Sequence, residues 1–583
     1  MRQQLASAAV AASLLCAASV ALSGADQDFP AQGEDLKKID WASLFPAGDA
    51  WKTTEQVFVW NNEAEPETLD PALMTGTTEH NLATCLFEGL TTHHPATLQP
   101  LPGAAEWWEI SGDGLVYTFH LRKGAKWSNG DPFTAEDFRW SWERALTPAT
   151  GCKYAEMFFP IKGAQRFFEW HPALPATPAK GDQPAIPAQP AYDDGAKPTW
   201  TDVGVQVVDP LTLRITLRAP TAYFLELAAF ETLMPVHRAT VEKYGDAWTQ
   251  PGRIVTNGPF ALDVWKPRDR IELVPNENWW NRGMVRLKRS IVRAIDDQNT
   301  SLSEYLAGGV DWIRSIPARR VEEAQAHPDY YVSPYLGSYF FRFNVTKKPF
   351  DDVRVRKAFT MAIDKKDICE RVLKAGQIPA TGVVSPGIHG YPELQGLPYD
   401  PAKARALLAE AGYPDGQGLP EVEVLYNTQE SHKAVCESLV DMWKTNLGVK
   451  VQLANREWQV YLKDTHEMHY QVARAGWIGD YADPNTFLDM WVTDRGNNNT
   501  GWSNKRYDAL IEQAAKEPDH AKRFAIFQEA ERMVCVEDVP ILPLYYYVNQ
   551  GMLRPRVKGW AENVRDIHPL QYVSIEGPAA TGK

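Results

Sequence analysis

The sequence predicts an α/β fold in which the first domain is discontinuous. Strand-like patterns predominate before residue 339 and return after residue 541, whereas predicted helices and strands alternate between these two points. A chain that is rich in strands at both ends and mixed in the middle is typical of a first domain that the chain re-enters. The length of 583 residues adds a prior of roughly three or four domains.

The N-terminal part predicts strands followed by one clearly marked helix. Val57–Trp60 has the composition of a strand, and apolar side chains alternate along Leu115–Leu121 as they do in a half-buried strand. Thr134 is placed to cap a helix that carries Phe138 and Trp142 on one side. We interpret this strand and helix as the scaffold of a domain rather than as a ligand-binding surface.

A proline-rich stretch interrupts this pattern. Residues 160–200 hold eight prolines among Ala, Gly, Gln and Asp. Such a composition favours an extended surface excursion or a linker over a packed element. We assign no function to it.

The central part, residues 339–541, predicts alternating helices and strands. A single helix is expected over Val353–Ala375, ending at the glycine that follows. Asp400 is placed to cap the next helix, which Pro401 opens. A further helix is expected over Ser431–Leu447.

Residues 1–25 have the features of a cleavable signal peptide. Arg2 gives a positive start, an Ala-rich apolar core follows, and Ser23–Ala25 offers small residues for cleavage. Cys16 follows two leucines within the apolar core, whereas a lipid-anchor site requires a small residue just before the cysteine. We therefore expect a soluble exported protein without a lipid anchor.

Charge and cysteine content restrict the remaining function classes. The formal net charge of −14 disfavours nucleic acid and anionic membrane surfaces as partners. The five cysteines after the signal peptide are odd in number and form no C-x-x-C pair, so one disulfide is possible but neither a disulfide framework nor a zinc site is supported. These cysteines are Cys85, Cys152, Cys369, Cys436 and Cys535.

The most distinctive stretch is residues 472–485, which begins like a strand and continues into a turn. It carries the cation Arg474, the aromatic Trp477 and the carboxylate Asp480 within seven positions, with glycines between them. Glycines leave the backbone open to close approach by another backbone. A free peptide, with a charge at each end, fits such a surface; the alternative is a buried strand end with one structural ion pair.

The sequence carries no recognised motif of catalysis or metal binding. His466 and His469 enclose a glutamate, but their spacing of three differs from the spacing of four that a zinc-protease helix needs. The sequence contains no Gly-x-Ser-x-Gly elbow, no Ser-x-x-Lys and no phosphate-binding loop of the Walker type. We therefore expect no catalytic residue, no metal and no cofactor.

Several segments together resemble one family, the family 5 extracellular solute-binding proteins of bacterial ABC importers, and within it the oligopeptide-binding branch. The likeness runs from about Val57 to near the end of the chain. The segments that carry it are Ala105–Arg144, Trp248–Gly258, Phe350–Arg356, Val472–Tyr481 and Pro543–Asn549.

The resemblance implies a periplasmic binding protein fold of type II, with two lobes joined by a hinge and an extra small domain. It places lobe I at 26–87, 205–338 and 545–583, the small domain with its Pro-rich insertion at 88–204, and lobe II at 339–544. In this arrangement a peptide lies extended between the lobes and pairs with their backbone.

The resemblance also assigns roles to individual residues. Asp480 is expected to be a buried acid that holds the peptide's ammonium, and Arg474 and His432 are expected to meet its carboxylate. Relatives carry an acidic residue at the position of Thr75, a basic one at Thr465 and Cys at Ile478, which leaves the preferred peptide length open. The expected ligand-binding set is Asp480, Arg474, His432, Trp477, Trp458, Gly476, Tyr154, Ile478, Thr75 and Thr77.

The function that the resemblance implies is a monomeric periplasmic receptor rather than an enzyme. It would bind short peptides with little sequence preference and deliver them to permease subunits of an ABC importer in the inner membrane. The cargo could instead be murein tripeptide, dipeptide or another small solute. An exported hydrolase of peptides or glycans is the alternative from a different class.

Overall fold

The computed structural model describes residues 30–74, 76–173, 195–456, 458–493, 497–517 and 519–577. The predicted signal peptide, Thr75 and the middle of the Pro-rich stretch lie outside the described residues. Within this part the fold is mixed α/β, with strands β1–β19 and helices α1–α15.

The strands vary from two residues to fourteen, and the two longest are β12 and β17. The bounds of the strands are β1 Val57–Asn61, β2 Thr91–His93, β3 Pro100–Pro102, β4 Ala105–Ile110, β5 Val116–Leu121, β6 Val205–Asp209, β7 Thr212–Thr216, β8 Phe260–Lys266, β9 Arg270–Pro275, β10 Arg289–Arg293, β11 Trp312–Ile313, β12 Tyr330–Phe343, β13 Ile378–Pro379, β14 Val422–Asn427, β15 Val451–Arg456, β16 Val472–Ile478, β17 Ile541–Leu553, β18 Val557–Lys558 and β19 Ser574–Ile575.

Among the described helices, none is both long and apolar enough to cross a membrane. The bounds of the helices are α1 Thr77–Leu86, α2 Ala135–Leu146, α3 Ala164–Glu169, α4 Phe224–Leu227, α5 Arg238–Tyr244, α6 Gln298–Ala307, α7 Val321–Gln325, α8 Val353–Met361, α9 Lys365–Asp367, α10 Pro401–Glu410, α11 Glu430–Leu447, α12 Trp458–His466, α13 Asn485–Leu488, α14 Lys505–Lys516 and α15 His520–Arg532.

One large sheet runs through the molecule, in the order β15-β14-β16-β12-β17-β11-β1-β10-β9-β8. The long strands β12 and β17 lie in its middle and pair antiparallel, from Tyr330 opposite Met552 to Arg342 opposite Ile541. Their register shifts at two places, between Pro334 and Ser338 and between Tyr339 and Phe340. The two halves of the sheet are therefore joined by two long strands whose pairing is irregular near its middle.

A second sheet, β4-β5-β7-β6, belongs to a separate unit with its own core. The predicted half-buried strand is confirmed by β5, and the predicted cap by Thr134, which forms a capping box with Asp137 at the start of α2. Phe138 and Trp142 of α2 are almost fully buried against this sheet.

The C-terminal residues return to the strands at the start of the chain. β17 pairs with β11, and the side chain of Gln56 donates to the carbonyl oxygen of Ile575 at 2.7 Å. Such contacts are required if the chain re-enters its first domain, as the sequence predicts. The boundaries of the two lobes and of the small domain stay a prediction.

The single helix expected over Val353–Ala375 was wrong. α8 ends at Met361, and the side chain of Asp364 then accepts a hydrogen bond from the N–H of Asp367 and caps α9. An aspartate that caps a new helix interrupts the preceding one because its own backbone is not helical. The predicted cap at Asp400 is confirmed: its side chain accepts from the N–H of Lys403.

The possible disulfide is not formed among the described residues. All five cysteines lie among the described residues, and each is a buried, free thiol. Burial raises the pKa of the thiols of Cys85, Cys369 and Cys436 to about 12. A thiol that stays protonated at neutral pH is a poor nucleophile and a poor metal ligand.

Candidate functional site

Strand β16 sets the direction of the side chains at the centre of the site. Successive residues of a strand point to opposite faces, so Ala473 and Ala475 enter the core, where both are at most 3% exposed. Arg474, Gly476 and Ile478 face the other way. Ile478 is 44% exposed, which is unusual for a large apolar side chain and marks this face as an open surface.

The backbone of β16 has one free edge. On one side β12 pairs with β16 along its whole length. On the other side β14 pairs only with Val472 and Ala473, and no described strand lies beside Ala475–Ile478. An extended ligand could add to this edge as a further strand, with glycine at position 476 leaving room for it.

Arg474 is a cation held in place without an acidic partner. Its guanidinium donates to the hydroxyl of Tyr547 at 3.2 Å and to Oδ1 of Asn427 at 3.4 Å, and lies 4.7 Å from the ring centre of Tyr339. Its Nε is buried without a hydrogen-bond acceptor, and no carboxylate of the described residues lies within 4 Å. Because a half-buried cation without a carboxylate partner is costly, the position is suited to a carboxylate brought by a ligand.

His432 lies beside Arg474, near the start of α11, and is only 6% exposed. Its Nδ1 is 3.3 Å from the hydroxyl of Tyr339. Burial and the charge of Arg474 lower the pKa of His432 to about 4, so the ring is neutral at pH 7. It can offer a carboxylate a hydrogen bond but no charge; its expected role stays a prediction.

Asp480 follows β16 directly, and its N–H is 3.3 Å from Oγ1 of Thr486. Its side chain is exposed in this structure, and its expected burial against the ammonium of a peptide stays a prediction. No cation of the described residues lies within 4 Å of the carboxylate. Desolvation by the surrounding protein nevertheless raises the pKa of Asp480. The positive charge of Arg565 opposes this rise, and the negative charge of Glu156 adds to the rise.

A cavity of about 320 Å³ opens next to Asp480. Trp477 forms part of its wall and donates through Nε1 to Oγ1 of Thr486 at 3.2 Å. A space of this size accommodates a side chain of a ligand whose charged end lies at Asp480. The lining residues are Trp477, Asp480, Tyr481, Thr486, Asp489, Met490 and Asn497.

Tyr154 precedes a short segment of the unit built around the second sheet. Burial raises the pKa of Tyr154, and the negative charge of Asp480 contributes, so the two groups are close in space. Its ring packs against Phe230, with 5.8 Å between ring centres. We call the space bordered by Arg474, Asp480 and Tyr154 the cleft.

The other expected site residues are less informative. Thr77 opens α1 and is exposed. Trp458 opens α12, but its side chain lies outside the described part of the structure, as Thr75 does entirely. Their assignment to the site stays a prediction.

Sequence reasoning missed the groups that surround Arg474. Tyr339 and Tyr547 belong to β12 and β17, and Asn427 ends β14, so three distant segments meet at one guanidinium. Only the pairing of β16, β12 and β17 brings them together. A signal was present for Tyr547, which lies in one of the family-like segments.

The spacing of the two charges limits the size of a ligand. Asp480 lies six positions after Arg474, and an extended chain rises about 3.3 Å per residue, which gives at most roughly 20 Å between their Cα atoms. An extended ligand that reached both charges would span a comparable distance, up to about six residues.

Comparison with known proteins finds close relatives over most of the chain. Residues 99–499 match the family described as "Bacterial extracellular solute-binding proteins, family 5 Middle". The chain is 35% identical over 534 residues to the periplasmic oligopeptide-binding protein OppA of Escherichia coli (strain K12), covering 89% of this chain and 92% of the relative.

Two solved structures resemble the chain to different degrees. A structure of the periplasmic murein tripeptide binding protein MppA in an unliganded open form has a TM-score of 0.80, with 32% identity and coverage of 90% of this chain and 98% of that one. Haemophilus influenzae OppA in complex with RPPGFSPFR has a TM-score of 0.62, with 31% identity and coverage of 90% and 99%. At nearly equal identity, the better fit to the open form agrees with the exposure of Asp480 to the cleft.

Proposed function

We propose, since the chain belongs to the family 5 bacterial extracellular solute-binding proteins, that it is a receptor that binds short peptides in the cleft and delivers them to an ABC importer. The family resemblance is confirmed, and so is the expected type II periplasmic binding protein fold. In that fold two lobes close on a ligand that lies between them.

One observation carries the proposal. Two opposite charges lie at the two ends of one free strand edge, and the described residues provide an ion-pair partner for neither. Arg474 lacks a carboxylate and Asp480 lacks a cation within 4 Å. A free peptide brings both missing groups and a backbone that can pair with Ala475–Ile478. Relatives named for oligopeptide, dipeptide and murein peptide binding support a ligand of this class.

The location and partners follow from the same family. Relatives of this chain are named periplasmic proteins, and we propose that this chain acts in the periplasm after removal of residues 1–25, as a monomer without a lipid anchor. Its partners are the peptide and the permease subunits of the importer in the inner membrane. We further propose that it cleaves nothing, because a family of solute-binding proteins captures its ligand unchanged.

The test combines binding, motion and chemistry in one titration. A mixture of peptides of two to eight residues, together with murein tripeptide, is added to the purified protein, and retained ligands are identified by native mass spectrometry. We expect intact peptides to be retained. X-ray scattering should show a more compact protein with the tightest ligand, because a ligand that contacts both lobes favours the closed state.

Two results would contradict the proposal. Retention of no peptide by a correctly folded sample would exclude the peptide ligand. New fragments in the peptide mixture would instead support the hydrolase alternative, since a receptor returns its ligand intact.

A further inference from the structure

A short run of backbone hydrogen bonds places a cation beside Asp480. Leu336, in the irregular part of β12, donates its N–H to the carbonyl of Val564 at 2.6 Å. Its own carbonyl accepts from the N–H of Gly479 at 2.8 Å. Asp480 and Arg565 are the residues that directly follow these two partners, so their Cα atoms lie about two strand spacings apart, roughly 10 Å. An arginine side chain can span most of that distance.

The backbone on both sides of Arg565 is fixed. Val564 is 5% exposed and packs in the same core as Leu336. Asp566 is 4% exposed, and its carboxylate lies 2.7 Å from the guanidinium of Arg314 and 2.9 Å from Nε2 of His568. The backbone of Arg565 is therefore fixed at the edge of the cleft, independently of the contacts of its side chain.

The side chain of Arg565 is half-buried, and no carboxylate of the described residues lies within 4 Å of it. Two acids feel its charge. The guanidinium opposes the burial that raises the pKa of Asp480, and it contributes to the low pKa of Glu231, whose carboxylate is paired with His80 at 2.6 Å. The charge of Glu156 acts on the pKa of Asp480 in the opposite direction to that of Arg565.

The proposed function puts the ammonium of a peptide at Asp480, and the present inference rests on that placement. We propose that Arg565 is a specificity-determining residue that selects peptides by the charge of their first side chain. A first residue of Lys or Arg adds a second positive charge beside a fixed guanidinium and is disfavoured. A first residue of Asp or Glu supplies the carboxylate that Arg565 lacks.

The expected size of the selection follows from Coulomb's law. Two unit charges about 8 Å apart, at an effective dielectric constant between about 20 and 80, alter binding by roughly two- to thirty-fold. The effect is modest, which suits a receptor that otherwise accepts many sequences. A dependence of affinity on charge also distinguishes this cleft from one that excludes a side chain by shape.

The experiment compares three tripeptides, Glu-Ala-Ala, Ala-Ala-Ala and Lys-Ala-Ala, by titration calorimetry. The wild type should bind Glu-Ala-Ala at least about threefold more tightly than Lys-Ala-Ala. Arg565→Gln should reduce this ratio at least about threefold, mainly by strengthening the binding of Lys-Ala-Ala. Arg565→Lys keeps the charge and should keep the ratio.

Two further variants separate the local charge from the net charge. Lys450→Gln makes the same change in net charge at an exposed position next to β15, the edge strand of the main sheet, and should leave the ratio unchanged. Glu156→Gln removes the opposing acid near Asp480 and should increase the ratio. If Arg565→Gln does not fold, Arg565→Met, which retains the apolar part of the side chain, takes its place.

The outcomes are distinct. An unchanged ratio in Arg565→Gln, or an equal change in Lys450→Gln, would overturn the role of Arg565 while leaving peptide binding intact. Failure of the wild type to bind any of the three peptides would overturn the proposed function itself, and with it this inference.

Discussion

Arg474 and Asp480 lie at the two ends of one segment, but the protein holds them differently. The guanidinium of Arg474 is fixed by Tyr547, Asn427 and the ring of Tyr339. The carboxylate of Asp480 is exposed on a turn. The comparison teaches that the surroundings of Arg474 are already fixed without a ligand, whereas those of Asp480 are open; under the proposed function, the site for the carboxylate is preorganised and the site for the ammonium is not.

The largest effect is expected from Arg474→Met, because it removes the preorganised end. Losing one member of a desolvated charge pair costs about 2 to 5 kcal/mol, or roughly thirty- to several-thousand-fold in affinity. Calorimetry with a free tripeptide should show this loss, and a peptide with an amidated C-terminus should lose far less. Arg371→Met, at a side chain that is 76% exposed, is the control. Equal losses for both peptides would show that Arg474 does not meet the C-terminus.

A smaller but clear effect is expected from Asp480→Asn. The carboxylate is exposed in the open form, so only part of its interaction with the ammonium is desolvated, and we expect a loss of about tenfold or more. The variant should melt at the wild-type temperature because Asp480 forms no described ion pair. Asp441→Asn, at an exposed position of α11, should bind as the wild type does. An affinity unchanged from wild type would refute the assignment of Asp480.

His432→Gln should have the smallest effect on binding, below about tenfold, because the neutral ring offers a single hydrogen bond without charge. Its effect on stability depends on pH. The pKa of His432 is about 4 in the folded protein and about 6.5 in an unfolded chain, so the unfolded state binds more protons as the pH falls through this range. Wild-type stability therefore falls between pH 6.5 and 4, and the variant should lose less.

Urea unfolding at pH 7 and at pH 5 measures this difference. His469→Gln, at an exposed histidine, is the matched control and should respond to pH as the wild type does. If His432→Gln lost as much stability as the wild type on acidification, the neutral, buried state of His432 would be contradicted.

Local chemistry explains which parts of the fold could be predicted from the sequence. The caps at Thr134 and Asp400 act within three residues of themselves, and the sequence shows both partners. The break at Asp364 uses the same chemistry, but it lies inside an apolar pattern that continues across it, and that pattern predicts one continuous helix.

Long-range contacts explain what could not be predicted at the site. Arg474, Trp477 and Asp480 are close in sequence, and their combination indicated a zwitterionic ligand. The tyrosines around Arg474 come from other segments, which reach it through the pairing of β12, β16 and β17. Arg565 comes from a further segment, which is joined to β12 by the hydrogen bond from Leu336 to Val564. The exposure of Asp480 likewise depends on how distant segments pack around it, which no sequence pattern records.

The measurement that tests the central claim most directly is the binding of one tripeptide with a free amine and of the same tripeptide acetylated at its N-terminus. If the ammonium of the peptide pairs with Asp480, acetylation should weaken binding to the wild type at least about tenfold and should have little effect on binding to Asp480→Asn. Equal affinity of the wild type for the two peptides would contradict the account, because the carboxylate of Asp480 would then have no cation to hold.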